Sequence, residues 1–553
     1  MKYIITEQDK NLLLQSSVDY RYKLLVINKD GFIVYELTSL QSIGSYTIDA
    51  ESKVRRTSSF VMYLGNEYEG SSIESKLFSW IGLSFKLQIG IFSLREDDYI
   101  WYDCGYYLIT EANTSYDAVT NSIETSLSDW YVNLNGTRNG QIGGAPIIEV
   151  PNVDDNGNIR TIKQVTTDII KKGTEIKNYI VDDIGQFYGM PEHNEDYENY
   201  RLTYPKWNQL PYDLKYDVGC TVGDIFEEIN DLYPNCQMYF DIYNNFCFNM
   251  IPSCEYDPCE LDDDYIQKIL VAQGTENVSY NIEGIKNITE VFGRSYDPDR
   301  YSEEVELLTN IYTITLSSTS DEGNEEGQYD AYGDGDIIAF KVDANNIAEP
   351  KIRINSLDPI PLYHEFTEKS VEPDTMLKDE IYVIEIHHLI STKEDGSTEG
   401  KYVAYYLGQY QPHALCVLTN NLHDEKYTKE YFAEKYNCYE KNVTLRLEED
   451  SPFAVQKIGE VLDVKSGDNF DNILSDSVAV SNSVYYNKQS SSIYDTVTIT
   501  TIMMPFLDVN VKVEYRKQQE QTTQFYIIKS ITNNMNDGTS TIVMYRFYPL
   551  YFI

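Results

Sequence analysis

Alternation of apolar and polar residues near both ends of this chain constrains its fold more than any other feature. Phe85, Leu87, Ile89 and Ile91 alternate with Lys86, Gln88 and Gly90. Val509, Val511, Val513 and Tyr515 alternate with Asn510, Lys512 and Glu514. A period of two sends successive side chains to opposite faces of a strand, so both regions predict strands half-buried against a core. The apolar runs of 22–37 flank Lys29-Asp30-Gly31, and those of 524–553 flank Asn536-Asp537-Gly538. Both patterns predict hairpins. Two further strands are expected in 101–130, joined near Asn113 to Thr120.

The middle of the chain reads differently. Val165, Ile169 and Ile170 fall at helical spacing before Gly173. Thr221 followed by Asp224 resembles a capping box, with Ile225, Phe226, Ile229 and Leu232 on one face and Pro234 as the stop. A hairpin turning at Asn244-Asn245 follows, so 221–252 predicts a helix–hairpin unit. Residues 186–215, rich in Tyr, Asn, Asp and Pro, predict an irregular loop. Strands are expected from about 278, a buried strand at 380–390, helices at 428–437 and 469–489, and a strand at 442–447.

An all-strand end after a mixed middle predicts a β layer that begins, is interrupted and finishes late in the chain. The expected class is mainly β (α+β) and multidomain, with two β-barrels, an α+β domain and an inserted domain. The expected boundaries are 1–145 for the first barrel and 146–277 for the α+β domain with the helix–hairpin unit. The second barrel takes 278–345 and 496–553, around an inserted α+β domain at 346–495.

Composition narrows the function. With 44 basic and 88 acidic residues the net charge is −44. Such a surface repels nucleic acid and anionic membranes, which argues against a sequence-reading DNA binder. It suits solubility, or a wall past which a polyanion slides without sticking. The 49 tyrosines suit half-buried sheets and interfaces. No stretch approaches the roughly 18 apolar residues of a membrane span. Met1 to Asp30 carries scattered lysines and Arg21 with no sustained apolar core, so a chain made in a cytoplasm is expected.

The search for chemistry finds no catalytic, cofactor-binding or metal-binding residues to nominate. Gly136, Gly140, Gly143 and Gly144 crowd one loop, but Arg138 is its only cation and no Gly-Lys-Ser/Thr follows. A joint between domains fits it better than a phosphate cradle. His387 and His388 are adjacent and would face opposite sides of a strand. His193, His364 and His423 stand apart from any metal-ligand pattern, and no H-E-x-x-H occurs. Cys416 lies three residues after His413, which also places the two on opposite faces. Cys220, Cys236, Cys247, Cys254 and Cys259 fall close together without a C-x-x-C pair and, like Cys104 and Cys438, read as reduced packing residues. The acidic, glycine-rich run 320–336 lacks the carboxylate spacing of a calcium loop. Paired carboxylates for glycoside hydrolysis stay open, because spacing alone does not fix their separation.

Four regions together resemble the hub of tailed-bacteriophage tail tips, the baseplate-hub or tail-associated structural protein family. They are 54–64 with "WIGLSFKLQIGIF", "WYDCGYYLIT" with 127–144, the helix–hairpin of 224–252, and 451–480 leading into 504–516 and the last hairpin. The likeness covers most of the chain and rests on order and spacing. It implies a homotrimer in a virion tail, assembled in the host bacterial cytoplasm, whose two tail-tube-like barrels per subunit match a sixfold tube to a threefold tip. The implied partners are a distal tail or tail tube ring, a tape measure protein and tail-tip or receptor-binding proteins, with DNA passing unbound. Relatives that cleave cell walls carry a peptidase or lysozyme domain after the hub region. This chain ends at Ile553 just after its last strand-like run, so none is expected. The alternatives are a tail-associated cell-wall hydrolase with its site in 337–470 and a receptor- or glycan-binding tail protein.

Overall fold

The computed structural model describes residues 3–37, 40–63, 80, 82–116, 121–144, 147–154, 158–182, 210, 213–233, 235–254, 257–271, 276–316, 329–364, 368–392 and 398–548. The fold is mainly β and multidomain. Most of the loop expected at 186–215 and most of the acidic run 320–336 lie outside the described residues, as does Pro234, while the loop's described end, Leu214–Lys215, pairs as a short strand with Glu149–Val150.

One twelve-stranded sheet joins the two ends of the chain. Its N-terminal part runs Leu40–Asp49, Arg56–Tyr63, Asn121–Ser128, Asp98–Tyr116, Ser84–Ser93, Tyr20–Ile27 and Ile33–Leu37, each strand paired with the next. Its C-terminal part is Gln524–Asn534, Thr539–Tyr545, Asp495–Ile502 and Asn277–Tyr280, with Lys512–Tyr515 on the side of Gln524–Asn534. The halves meet where Ser530 to Asn534 pair antiparallel with Asp49 to Ser45. The sheet curls so that Leu24, Phe85, Leu87 and Ile89 share one core with Val497, Tyr526, Ile531 and Ile542. Tyr20 and Tyr22 then donate their hydroxyls to the carbonyls of Met503 (2.6 Å) and Met535 (2.8 Å), tying the first strand to the last loops.

The eight-stranded sheet is a nearly closed barrel. Its order is Arg300–Ser302, Ile337–Lys341, Ile381–Thr392, Thr398–Gln409, Ile360–His364, Lys351–Ile354, Ile311–Ile314, Val305–Leu308. The first and last strands are consecutive in sequence, so one extended segment crosses the seam. Ser302 Oγ donates to the Thr315 carbonyl (2.6 Å) and Thr315 N–H to the Glu304 carbonyl (2.8 Å) across it. Tyr312, Phe340, Ile352, Leu362 and Ile384 fill the interior. The run at 380–390 does form a strand, Ile381–Thr392, with Val383, Ile384 and Ile386 fully covered, but its second half is not buried and Ile390 is exposed.

This pairing corrects the expected second barrel. Of 278–345, only the short strand Asn277–Tyr280 joins the C-terminal strands; Ile288–Phe292 joins a smaller sheet, and the strands from Arg300 to Lys341 pair among themselves and with 351–409. Residues 413–490 build a separate four-stranded sheet with Ile288–Phe292, in the order Val443–Leu447, His413–Thr419, Ile288–Phe292, Leu462–Lys465. The physical reason is that alternation shows a strand is half-buried but carries no information on which strand lies beside it.

The helix–hairpin unit forms as expected. Helix Val222–Asp231 starts at a reciprocal Thr221/Asp224 capping box, and Cys236–Phe240 pairs with Phe246–Met250. Helices Ile162–Gly173, Lys429–Tyr436 and Asp476–Ser490 occupy the other expected places. A second correction falls at 496–516. Strands form at Asp495–Ile502 and Lys512–Tyr515, but Met503 to Val511 turns instead of extending. Asn510 sits in the left-handed region at φ +60°, and Val509 and Val511 are both buried there.

Candidate functional site

Two polar clusters stand out, and both lie at joints. At the first, strand Arg56–Tyr63 brings a double arginine against the helix–hairpin unit and the turn of 503–511. Arg56 is almost fully buried, and its guanidinium meets the Asp508 carboxylate at 2.5 Å and the Phe240 carbonyl. The Arg56 backbone N–H donates to Asp129 Oδ2 (2.9 Å), and Tyr131 N–H to Asp129 Oδ1 (3.0 Å). Burial opposes the Arg56 charge, yet Asp508, Tyr107 and Asp129 together hold its pKa above the ordinary value. Burial also pushes the Asp129 carboxyl up to about 6, although its two backbone donors and the arginines oppose the rise. Arg55 lies 3.3 Å over the Tyr239 ring and bonds Gln237, which also accepts from Asn510 Nδ2 (2.8 Å). Gly105, at φ +116°, leaves room for this packing, since a Cβ there would stand 2.9 Å from Arg56 Cδ.

The glycine loop runs from this joint. The N–H groups of Val222 and Gly223 donate to the carbonyls of Gly140 (2.9 Å) and Leu134 (2.8 Å). Protein carbonyls therefore take the helix N–H groups that a phosphate would need. Gly140 sits at φ +104°, and a Cβ there would come within 2.3 Å of the Leu134 carbonyl oxygen.

The second cluster lines a cleft of about 320 Å³ where the eight-stranded barrel meets the four-stranded sheet. Glu380 and Gln409 come from the barrel, His413 opens its strand in the small sheet, and Asp476 begins helix Asp476–Ser490. Gln409 Nε2 donates to Glu380 Oε2 (3.1 Å) and Asp476 Oδ2 (3.3 Å). His413 N–H donates to Asp476 Oδ1 (3.2 Å), and the His413 ring bonds Glu290 Oε1 (2.8 Å). Lys441 contacts Glu380. Asp476 has its pKa raised, chiefly by burial. Each of these carboxylates is held by a donor of the protein, so the cleft works as a polar seam between two sheets.

Cys416 and His413 share a strand and are not brought together as a nucleophile and base. The His413 ring stacks on Phe292 with centroids 4.1 Å apart, while the Cys416 thiol is buried and pushed up to about 12. Burial likewise pushes Cys438, on the cleft wall, up to about 12, with Asp476 and Glu290 adding to it. A thiolate is therefore disfavoured at both. His387 lies against Tyr405 and pairs with Glu385 (3.1 Å), whereas His388 packs on Tyr402. All eight cysteines are free thiols. Among the described residues, no group of three or more His, Cys, Asp or Glu is placed to hold a metal, and no helix is long and apolar enough to cross a membrane.

Sequence reasoning missed the Arg56–Asp508–Asp129 joint and the Glu290–His413–Asp476 seam. The available signal was the pair Arg55-Arg56 at the start of an otherwise apolar and hydroxyl-bearing strand, where charge is unexpected unless it is paired.

Residues 450–551 match the family described as "Domain of unknown function (DUF5048)". No curated protein matches the chain. Among solved structures, the chain is similar to the 43 kDa tail protein of prophage MuSo2 from Shewanella oneidensis, at 10% identity and a TM-score of 0.41, covering 97% of this chain and 100% of that one. It is also similar to a tail protein from Neisseria meningitidis MC58, at 6% identity and a TM-score of 0.40, covering 95% and 97%. Prophage tail protein gp18 from Listeria monocytogenes EGD-e gives 7% identity and a TM-score of 0.40, covering 95% and 94%.

Proposed function

We propose that this chain is a structural subunit of a phage tail, the hub of its tip or baseplate. Three copies form a ring on the tail axis, join a sixfold tube to a threefold tip and let DNA through. The observation that supports this reading best is the architecture. A curled sheet built from both chain ends and a nearly closed barrel of 300–409 are carried by one chain, with smaller α+β units between. Two barrel bodies per copy give six in a trimer, which is the number a sixfold tube presents. We assign the first body to 3–129 with 277–280 and 495–545, and the second to 300–409.

Two further features favour a structural role. The polar clusters join layers, and the thiols nearest a histidine are disfavoured as thiolates. The net charge of −44 suits a wall that a polyanion must pass. The proposed neighbours are a distal tail or tube ring, a tape measure protein and tail-tip proteins, and the proposed location is the virion tail. Mass photometry of the purified full chain tests the assembly. A species of three times the 63.9 kDa chain mass is expected, and a monomer at all concentrations up to about micromolar (an affinity of roughly −8 kcal/mol) contradicts it.

A further inference from the structure

The eight-stranded barrel hangs from the rest of the chain at one point. In the four-stranded sheet, Ile288–Phe292 pairs antiparallel with His413–Thr419, and Phe292 stands opposite His413 in the register. The whole of 300–409 is therefore inserted in the loop of one hairpin. Two crossings form its neck, 293–299 on the way out and 410–412 on the way back. They hold each other through Gly293 N–H to the Pro412 carbonyl (2.7 Å) and Tyr296 N–H to the Tyr410 carbonyl (3.3 Å). Among the described residues, no barrel strand pairs with a strand outside the barrel. The apolar core of the barrel is also separate from those of the small sheet.

Beyond the neck, the bonds that cross from the barrel to the small sheet and its helix converge on Gln409 and Glu380. Gln409 N–H donates to the Leu474 carbonyl (3.1 Å), and its side-chain oxygen accepts from Asp476 N–H (2.5 Å). Its Nε2 reaches Asp476 Oδ2 (3.3 Å) and Glu380 Oε2 (3.1 Å). Lys441, in the turn before Val443–Leu447, meets Glu380 from the other side. The cleft of about 320 Å³ lies beside these bonds, where two packed domains bring apolar surfaces together. A body with its own core and no ladder or large apolar interface to its neighbour is free to turn on its linkers unless polar contacts hold it.

We propose that 293–299 and 410–412 are a hinge on which the barrel 300–409 swings as one unit, and that Gln409, with Glu380 and Lys441, is the clamp that closes it. The cleft is the space into which the swing moves. In the ring proposed above, such a hinge lets the second barrel settle between its neighbours without bending either sheet. The inference concerns a single copy and does not depend on the ring.

The test is hydrogen exchange of the full chain, wild type against Gln409→Ala and against Lys441→Met. The reporters are the backbone amides of residue 409 and of Arg294, which donate to the carbonyls of Leu474 and Ile473. Both substitutions leave those carbonyls in place, so faster exchange there reads opening of the joint and not the loss of one acceptor. Gln409→Ala is expected to speed both amides at least tenfold while amides inside the barrel and in Val443–Leu447 keep their rates. Lys441→Met, which changes a half-exposed side chain, is expected to speed the same two amides by less. Small-angle scattering of Gln409→Ala is expected to show a larger maximum dimension than the wild type. Unchanged exchange at both amides in both variants would overturn the clamp. Exchange that rises equally throughout the barrel and the small sheet would overturn the hinge, since the two would then unfold as one unit. Faster joint exchange with an unchanged maximum dimension would overturn the swing.

Discussion

The Arg56 guanidinium lies 2.5 Å from the Asp508 carboxylate across 452 positions of sequence, in a contact buried between the N-terminal strands and the C-terminal turn. The same guanidinium bonds the Phe240 carbonyl, so one side chain ties three parts of the chain together. Removing one partner of a buried ion pair leaves the other charge uncompensated, at about 3–5 kcal/mol. Asp508→Ala should therefore lower the denaturation midpoint and expose the joint to limited proteolysis. Asp508→Asn keeps a hydrogen-bonding oxygen and should lose less. Equal stability of Asp508→Ala and the wild type would remove this pair from the account.

Asp129 makes stability depend on pH in an unusual direction. Its folded pKa is raised to about 6, above the ordinary carboxylate value. The folded state therefore binds a proton more readily than the unfolded state, and this group adds stability as pH falls from about 6 toward 4. The full effect is on the order of 3 kcal/mol for a shift of about two pKa units. The stability difference between the wild type and Asp129→Asn, measured by denaturant melts at several pH values, should move toward the wild type by up to that amount on acidification. A difference that stays flat from pH 7 to 4 would contradict the raised pKa.

Gly140 is fixed by two constraints at once, a left-handed φ of +104° and the Leu134 carbonyl 2.3 Å from any added Cβ. The backbone penalty alone is roughly 1 kcal/mol. The carbonyl cannot move without breaking its bond to Gly223 N–H. Gly140→Ala should destabilise the joint by more than about 1 kcal/mol, whereas Gly143→Ala, with open space around it and no positive φ, should be near neutral. Thermal melts of the two variants check this, and similar losses in both would argue against the loop geometry.

Legibility in the sequence followed locality. The capping box of Thr221 and Asp224, the Asn244-Asn245 turn and the hairpin at Asn536-Asp537-Gly538 are decided within a few residues, and each formed where the sequence predicted. The partners of those elements are decided by contacts hundreds of residues apart. The pairing of Ser530 with Asp49, from opposite ends of the chain, left no local mark. Alternation at Val509 to Tyr515 misled for a related reason. Burial of Val509 and Val511 is real, but a left-handed Asn510 achieves it by a turn. At the candidate sites, the separation of His413 and Cys416 was legible because it needs only the pleat. The Arg56–Asp508 and Glu290–His413 contacts were not, because each joins residues from separate strands or turns.

The charge yields a prediction about nucleic acid. A surface at −44 should not bind duplex DNA near about 0.1 M salt, where like-charge repulsion still reaches roughly 10 Å. Electrophoretic mobility shifts with the full chain should show free duplex at all protein concentrations tested. A salt-sensitive shifted band would reveal a basic path and defeat the reading of the charge as a non-sticking wall.

The most direct measurement is a cryo-EM reconstruction of the full chain, assembled in its tail or as the isolated ring. The account predicts three copies around the axis, two barrel bodies from each forming a ring of six. It also predicts a lumen lined mainly by Asp, Glu and neutral polar side chains. Copies standing at the tail periphery, or a channel lined by Lys and Arg with the acids outside, would contradict it.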